Sequence, residues 1–174
     1  MMQARDVTPH EILLPVRPAF IVFTLGTALM INLLPWPGWL LAIKPDFVAL
    51  TVLYWCIQQP HKAGFSTAWL TGLLMDIADG SLMGQHALAY SVLAYAGIVL
   101  NRRVLRFTMK DQILHVIPLL LMNNLIVLVI RKFAGADFPG WTYFAGSLVA
   151  GALWPALSYV LKLPQKPKTD PDHA

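Results

Sequence analysis

Between Pro18 and Leu161 the charged side chains fall mostly in short turns, and the stretches between those turns are apolar. This pattern leaves a chain little choice. In lipid every backbone N–H and C=O must be satisfied internally, so apolar segments approaching about 20 residues become membrane helices. Six such segments follow one another: Pro18 to Leu34, Leu40 to Ile57, Ala63 to Ala78, Gln85 to Leu100, Gln112 to Ile130 and Trp141 to Leu161. The second holds Lys44-Pro45-Asp46 and a short apolar core, so it is expected to be broken or tilted. Only 13% of the residues are charged, about half the usual share of a soluble domain. The expected fold is all-α: a polytopic integral membrane protein with about six transmembrane helices in one bundle. The transmembrane domain spans 18–161, between a cytoplasmic N-terminal segment, 1–17, and a disordered cytoplasmic tail, 162–174.

Charge sets the orientation. With the N-terminus inside, the inner segments carry Arg5, Arg17, Lys62, Arg102, Arg103, Arg106, Lys110, Lys162, Lys166 and Lys168, and the outer ones only Lys44, Arg131 and Lys132. That is the positive-inside bias, with both termini cytoplasmic in a bacterial inner membrane. The positive charges sit between apolar runs, so membrane orientation explains the net charge of +4 and no nucleic-acid partner is expected. The cluster Arg102, Arg103, Arg106 and Lys110 suits anionic lipid, or a docked cytoplasmic partner. The first apolar run is long enough to stay as an anchor, and no cleavable leader is evident. The single cysteine, Cys56, allows no intrachain disulfide and fits a small buried apolar residue.

One helix is unusual. Gly64, Ala68, Gly72 and Asp76 are spaced by four and share a face, so the face runs small, small, small, carboxylate. Small residues allow a neighbouring helix to approach closely, and an intramembrane carboxylate points to function or to a specific partner. Asp79, Gly80, Gly84 and His86 follow in and after the next turn. These eight residues are candidates for helix packing or partner binding. At about 1.5 Å rise per residue, Asn32, Asp76, Asn123 and Asn124 fall at a similar depth, with Ser91 and Ser147 near it. They form a candidate polar layer in the outer third of the membrane, either a site or a set of interhelical hydrogen bonds. The asparagines are placed to pair with Asp76. His86 and His115 sit near span ends, where a structural hydrogen bond is the simpler role. No nucleophile elbow in its required context, phosphate loop, dinucleotide fingerprint or zinc motif is present, so no catalytic residue, cofactor or metal is assigned.

Lys44-Pro45-Asp46-Phe47, Tyr54-Trp55, Pro60, Gly64, Gly72-Leu73-Leu74-Met75-Asp76, Gly80, Gly84 and His86-Ala87-Leu88 together resemble the MreD family of bacterial rod-shape-determining membrane proteins. The resemblance implies a non-catalytic scaffold subunit of the cell-elongation machinery. It would link a bitopic MreC-like protein, MreB filaments and the RodA and penicillin-binding-protein pair that builds lateral peptidoglycan, with self-association left open. It also implies a fold similar to the substrate-binding subunits of energy-coupling-factor transporters. That makes a small-molecule transporter subunit the alternative function. Against it, Thr24 and Ala28 are the nearest small pair on the first span, and the outer loops are short.

Overall fold

The structure, a computed structural model, describes residues 16–41 and 43–165. The expectations for the N-terminal segment and the tail fall mainly on 1–15 and 166–174, outside the described residues.

Within the described residues the chain is helical, without a strand. Helix α1, Pro18–Leu33, starts with proline at its first position, where the missing N–H costs nothing. It stops before Pro35-Trp36-Pro37. A single turn, α2, covers Gly38–Leu41. Then come α3, Phe47–Gln58, α4, Phe65–Ala78, α5, Gln85–Val104, α6, Met109–Phe133, and α7, Ala145–Lys162. Short 3-10 turns flank α7 at Trp141–Phe144 and Leu163–Gln165.

The expected second span is not one continuous helix. Pro45 lacks a backbone donor and disfavours helical geometry in the residue before it, and Asp46 starts a new helix by capping it. Its carboxylate accepts from the N–H groups of Val48 and Ala49 at 3.1 and 3.0 Å. The resulting α3 has 12 residues and rises about 18 Å, well short of a bilayer's roughly 30 Å of hydrocarbon. It is also the centre of the bundle. Every residue from Val48 to Ile57 is buried, against α1, α5 and α7.

Around this axis the usual solvent logic is inverted. Val22, Phe23, Leu70, Leu74, Ile77, Tyr95, Leu114 and Leu125 are more than half exposed, while polar side chains pair inside. Trp55 Nε1 donates to Thr24 Oγ1 at 2.9 Å, joining α3 to α1. Trp154 Nε1 donates to Gln112 Oε1 at 3.0 Å, joining α7 to α6. An apolar perimeter around internally satisfied polar groups is the arrangement that lipid requires. Among the described residues, Met109–Phe133 and Trp141–Gln165 are long and apolar enough to cross a membrane, and α1, α3 and α4 are shorter apolar helices.

The two ends differ. One carries Arg102, Arg103 and Arg106, at and just beyond the end of α5, and Lys110 in the first turn of α6, all exposed. There Lys62 Nζ also donates to the Val16 carbonyl at 2.6 Å. The other gathers the end of α1, the break before α3, the α4–α5 turn, the end of α6 and the start of α7.

The small-residue face holds over part of its expected length. Ala68 and Gly72 are buried in α4 together with Thr71, Met75 and Asp76. Gly64 lies outside the helix. It is the N-cap, in extended geometry, and a Cβ there would meet only Pro60 O, at an ordinary 3.7 Å. The helix begins one residue later than the four-residue spacing requires, so Gly64 serves the turn and not the packing face. Gly72 differs sharply, since a Cβ there would run into the Ala87 backbone and lie 2.7 Å from the His86 carbonyl carbon. Backbone cannot yield as a side-chain tip can. Gly72→Leu is therefore expected to cost on the order of 3 kcal/mol or more as an overpacking change. Phe65→Leu, at an exposed site, should stay within about 0.5 kcal/mol. Thermal unfolding of both variants in mild detergent checks this, and equal midpoints would contradict the close approach of α4 and α5.

Candidate functional site

Helix α5 begins with Gly84 as its N-cap, at φ 97°, a conformation that favours glycine. Glycine offers no side-chain oxygen to the free N–H groups of the first turn. Asp76, near the end of the preceding helix, supplies both of its own. Oδ2 accepts from Gly84 N at 2.8 Å and from Ala87 N at 3.4 Å. Oδ1 accepts from His86 N at 2.9 Å, from His86 Nδ1 at 2.8 Å and from Ser81 Oγ at 3.1 Å. An ionised carboxylate only accepts, so the proton on this face of His86 sits on Nδ1. Asp76 is 1% exposed. A buried carboxylate is tolerated because a set of donors and the positive end of a helix replace its lost hydration. Gly72, one turn earlier, lets Ala87 come near enough for this to happen. Gly72, Asp76, Gly84 and His86 are thus one construction, a hairpin closed by a carboxylate.

Asp46 repeats the device at the start of α3. Besides the two N–H groups it caps, it accepts from Asn32 Nδ2 at 2.9 Å and from Tyr90 Oη at 2.8 Å. Asn32 Oδ1 in turn accepts from Phe47 N at 3.1 Å, and Lys44 Nζ donates to the Asn32 carbonyl. One cluster thereby ties α1, the break, α3 and α5 together.

Between these two clusters opens a cavity of about 580 Å³. Asn32, Lys44 and Asp46 line one side of it, Asp79, Ser81, Gln85 and His86 another, and Asn124, Arg131 and Tyr143 a third. Irregular backbone in a membrane protein persists where it is buried in protein or lines a cavity, and Lys44, Pro45 and Asp46 line this one.

The expected polar layer resolves into separate pairings. Asn32 bonds to Asp46 and sits next to Asp76 only through Met75, whose Sδ is 3.9 Å from Asn32 Nδ2. Asn124 donates to Ser147 Oγ at 2.8 Å, and Ser147 to the Leu120 carbonyl. Ser91 donates to the Ala87 carbonyl of its own helix. Asn123 is buried, and its Oδ1 has no partner among the described residues. No asparagine reaches Asp76. The expected pairing fails because His86 and the α5 backbone already saturate it. Asp79 and Gly80 lie in the exposed turn, and Arg102, Arg103, Arg106 and Lys110 lie at the opposite end, apart from the cavity. His115 Nδ1 faces the Asp111 carbonyl at 3.2 Å, a local contact within its own helix.

The cavity residues Gln85, Arg131 and Tyr143 carry no motif of their own, and neither does Tyr90, which bonds to Asp46. Asp46 had a local signal, an Asp directly before an apolar run, which is a helix-start signature. Tyr90, Gln85 and Tyr143 become polar groups of this end only when α5 and the start of α7 are folded beside α3.

The family model for rod shape-determining protein MreD matches residues 16–163. The rod shape-determining protein MreD of Haemophilus influenzae is 31% identical over 129 residues, which cover 74% of this chain and 79% of that protein. No solved structure matches the chain at a significant level.

The carboxylate geometry orders the Asp76 variants. An amide keeps one acceptor oxygen but turns an NH2 group toward either Gly84 N–H or the His86 donors. Asp76→Asn is expected to cost about 1–3 kcal/mol, the penalty of a buried donor left unpaired. Asp76→Leu removes every bond and should cost more, as for a severed buried network. Unfolding midpoints in detergent, compared at one protein concentration, test the order. A midpoint for Asp76→Leu equal to wild type would remove the carboxylate from the account of the hairpin.

Proposed function

This chain belongs to the rod shape-determining protein MreD family, and on that premise we propose that it is a non-catalytic scaffold of the cell-elongation machinery in the bacterial inner membrane. Membership supports a role in determining rod shape. In the finer reading, the bundle positions a bitopic MreC-like protein, MreB filaments and the RodA and penicillin-binding-protein synthase relative to one another, with anionic lipid at its basic end. The match over nearly all the described residues carries the proposal and favours it over the transporter-subunit alternative. The bundle's construction is compatible with it. The carboxylates of Asp46 and Asp76 are committed to holding helix starts, which is the chemistry of a rigid support.

The topology proposed with this function crosses the membrane six times with both termini inside. It places Arg102, Arg103, Arg106 and Lys110 in the cytoplasm and the cavity on the outer face, following the positive-inside rule. Single cysteines at Gly38, Ser81 and Asp137, on a Cys56→Ser background, should be labelled by an impermeant thiol reagent from outside. One at Arg106 should be labelled only after the membrane is opened. Labelling of Asp137→Cys only from the cytoplasmic side would overturn this topology.

For the function itself, depletion of the protein is expected to convert rods to spheres, and purification in mild detergent to recover an MreC-like partner. Normal shape after depletion, with no such partner recovered, would refute the scaffold.

A further inference from the structure

The cavity between the two carboxylate clusters contains polar groups that the fold does not use. Asp46 and Asp76 are fully engaged, and Lys44 is bonded to the Asn32 carbonyl. Gln85 is the contrasting case. It is 3% exposed and lines the cavity, yet its side-chain amide makes no hydrogen bond among the described residues, and it is not sealed in apolar packing. Its amide faces the cavity, so what occupies the cavity is what can bond to it. Tyr143 Oη likewise has no hydrogen-bond partner there, and it lies in the field of both Asp46 and Arg131.

Two charges are also uncommitted. Asp79, from the α4–α5 turn, and Arg131, near the end of α6, both line the cavity. The only ion pair among the described residues joins His86 and Asp76, so Asp79 and Arg131 do not neutralise each other. Their helices pack on α5 from different sides. Counting Lys44 and Asp46 as well, the lining carries as many positive as negative charges. A simple anion or cation would meet an opposing charge of its own sign. A molecule bearing both signs would not.

We propose that this cavity is a binding site for a small zwitterion carrying one primary ammonium and one carboxylate or phosphate. Arg131 faces the anionic group, since its planar fork matches either oxyanion. Asp79 faces the ammonium. Gln85 and Tyr143 bond the polar atoms between them. The volume lies within the roughly 300–1,000 Å³ of small-molecule sites. Such a ligand has two sources, a free zwitterion such as a short peptide or the headgroup of an aminophospholipid. The inference rests on the cavity lining and not on the scaffold function, so either can fail alone.

The test uses the full chain with two probes. Dialanine is titrated calorimetrically against protein in detergent. Phosphatidylethanolamine is offered against phosphatidylcholine in nanodiscs, and the lipid retained after extraction is counted by native mass spectrometry. N-acetyl-dialanine removes the ammonium and dialanine amide removes the carboxylate. Asp79→Asn and Arg131→Gln alter exposed side chains, and their unchanged elution in size-exclusion chromatography verifies folding. Saturable dialanine binding, weakened at least tenfold by either cap and by either variant, supports the site with a soluble source. Enrichment of phosphatidylethanolamine, lost in both variants, supports it with a lipid source. Binding indifferent to caps and variants, or no retention of either probe by wild type, overturns the proposal.

Discussion

Asp76 holds the end of one helix against the start of the next, and much of this bundle's geometry follows from that bond set. A carboxylate in a low-dielectric interior pays a desolvation cost of several kcal/mol unless it is fully hydrogen-bonded. Here the donors come from Ser81, Gly84, His86 and Ala87, all within the turn and first turn of α5. Gly84, His86 and Ala87 reach Asp76 only because α4 and α5 almost touch. Gly72 makes that contact possible, because any Cβ would strike the Ala87 backbone. Gly84 makes it sufficient, because its left-handed backbone aims its N–H at Oδ2 while adding no side chain. Packing, capping and charge compensation are therefore one constraint, and a change at any of the three residues loads the other two.

Asp46 shows the same physics under a different requirement. Helix α3 is buried along nearly all its length, and the free N–H groups of its first turn are met by side chains. The Asp46 side chain satisfies two of them and recruits Asn32 and Tyr90 as further donors. The break before α3 is thereby stabilised without a continuous helix. Two helix starts, each held by a carboxylate, lie side by side at one end of the bundle. The cavity between them is the space that their irregular approaches leave.

The sequence made the larger pattern legible. Apolar runs set apart by charged turns identified a helical membrane bundle, and the spacing of Gly72, Asp76, Gly84 and His86 marked the hairpin as special. The partner of Asp76 was not legible from depth. A count of residues along each helix does not determine which faces meet, and the donors to Asp76 come from the turn that follows it and the start of α5. Gly64 was misplaced on the packing face because regular spacing was extended one residue past the point where the helix starts. The cavity was invisible for a different reason. Its lining comes from five separated stretches of chain, and Gln85 is polar in sequence but informative only once it is seen facing the space they enclose.

The helices also divide the molecule by thickness. With 14 residues in α4 and 16 in α1, these helices rise about 21 and 24 Å, whereas α6, with 25 residues, rises about 37 Å. Helices of such different reach cannot all match a bilayer with about 30 Å of hydrocarbon. In the proposed six-span topology, lipid beside α1 and α4 would thin, or be replaced by another apolar surface, at a cost of fractions of a kcal/mol per ångström of mismatch. The longer helices tilt or extend beyond the hydrocarbon. Val22, Phe23, Met30, Leu70, Leu74 and Ile77 all face outward on the short side, so covering it with a transmembrane helix of a partner would remove the mismatch without breaking any bond inside the bundle. The internal carboxylate clusters keep α1, α3 and α5 fixed in either case. That separation, a rigid polar interior behind an apolar flank under mild strain, is what a membrane scaffold needs in order to favour a neighbour without changing its own shape.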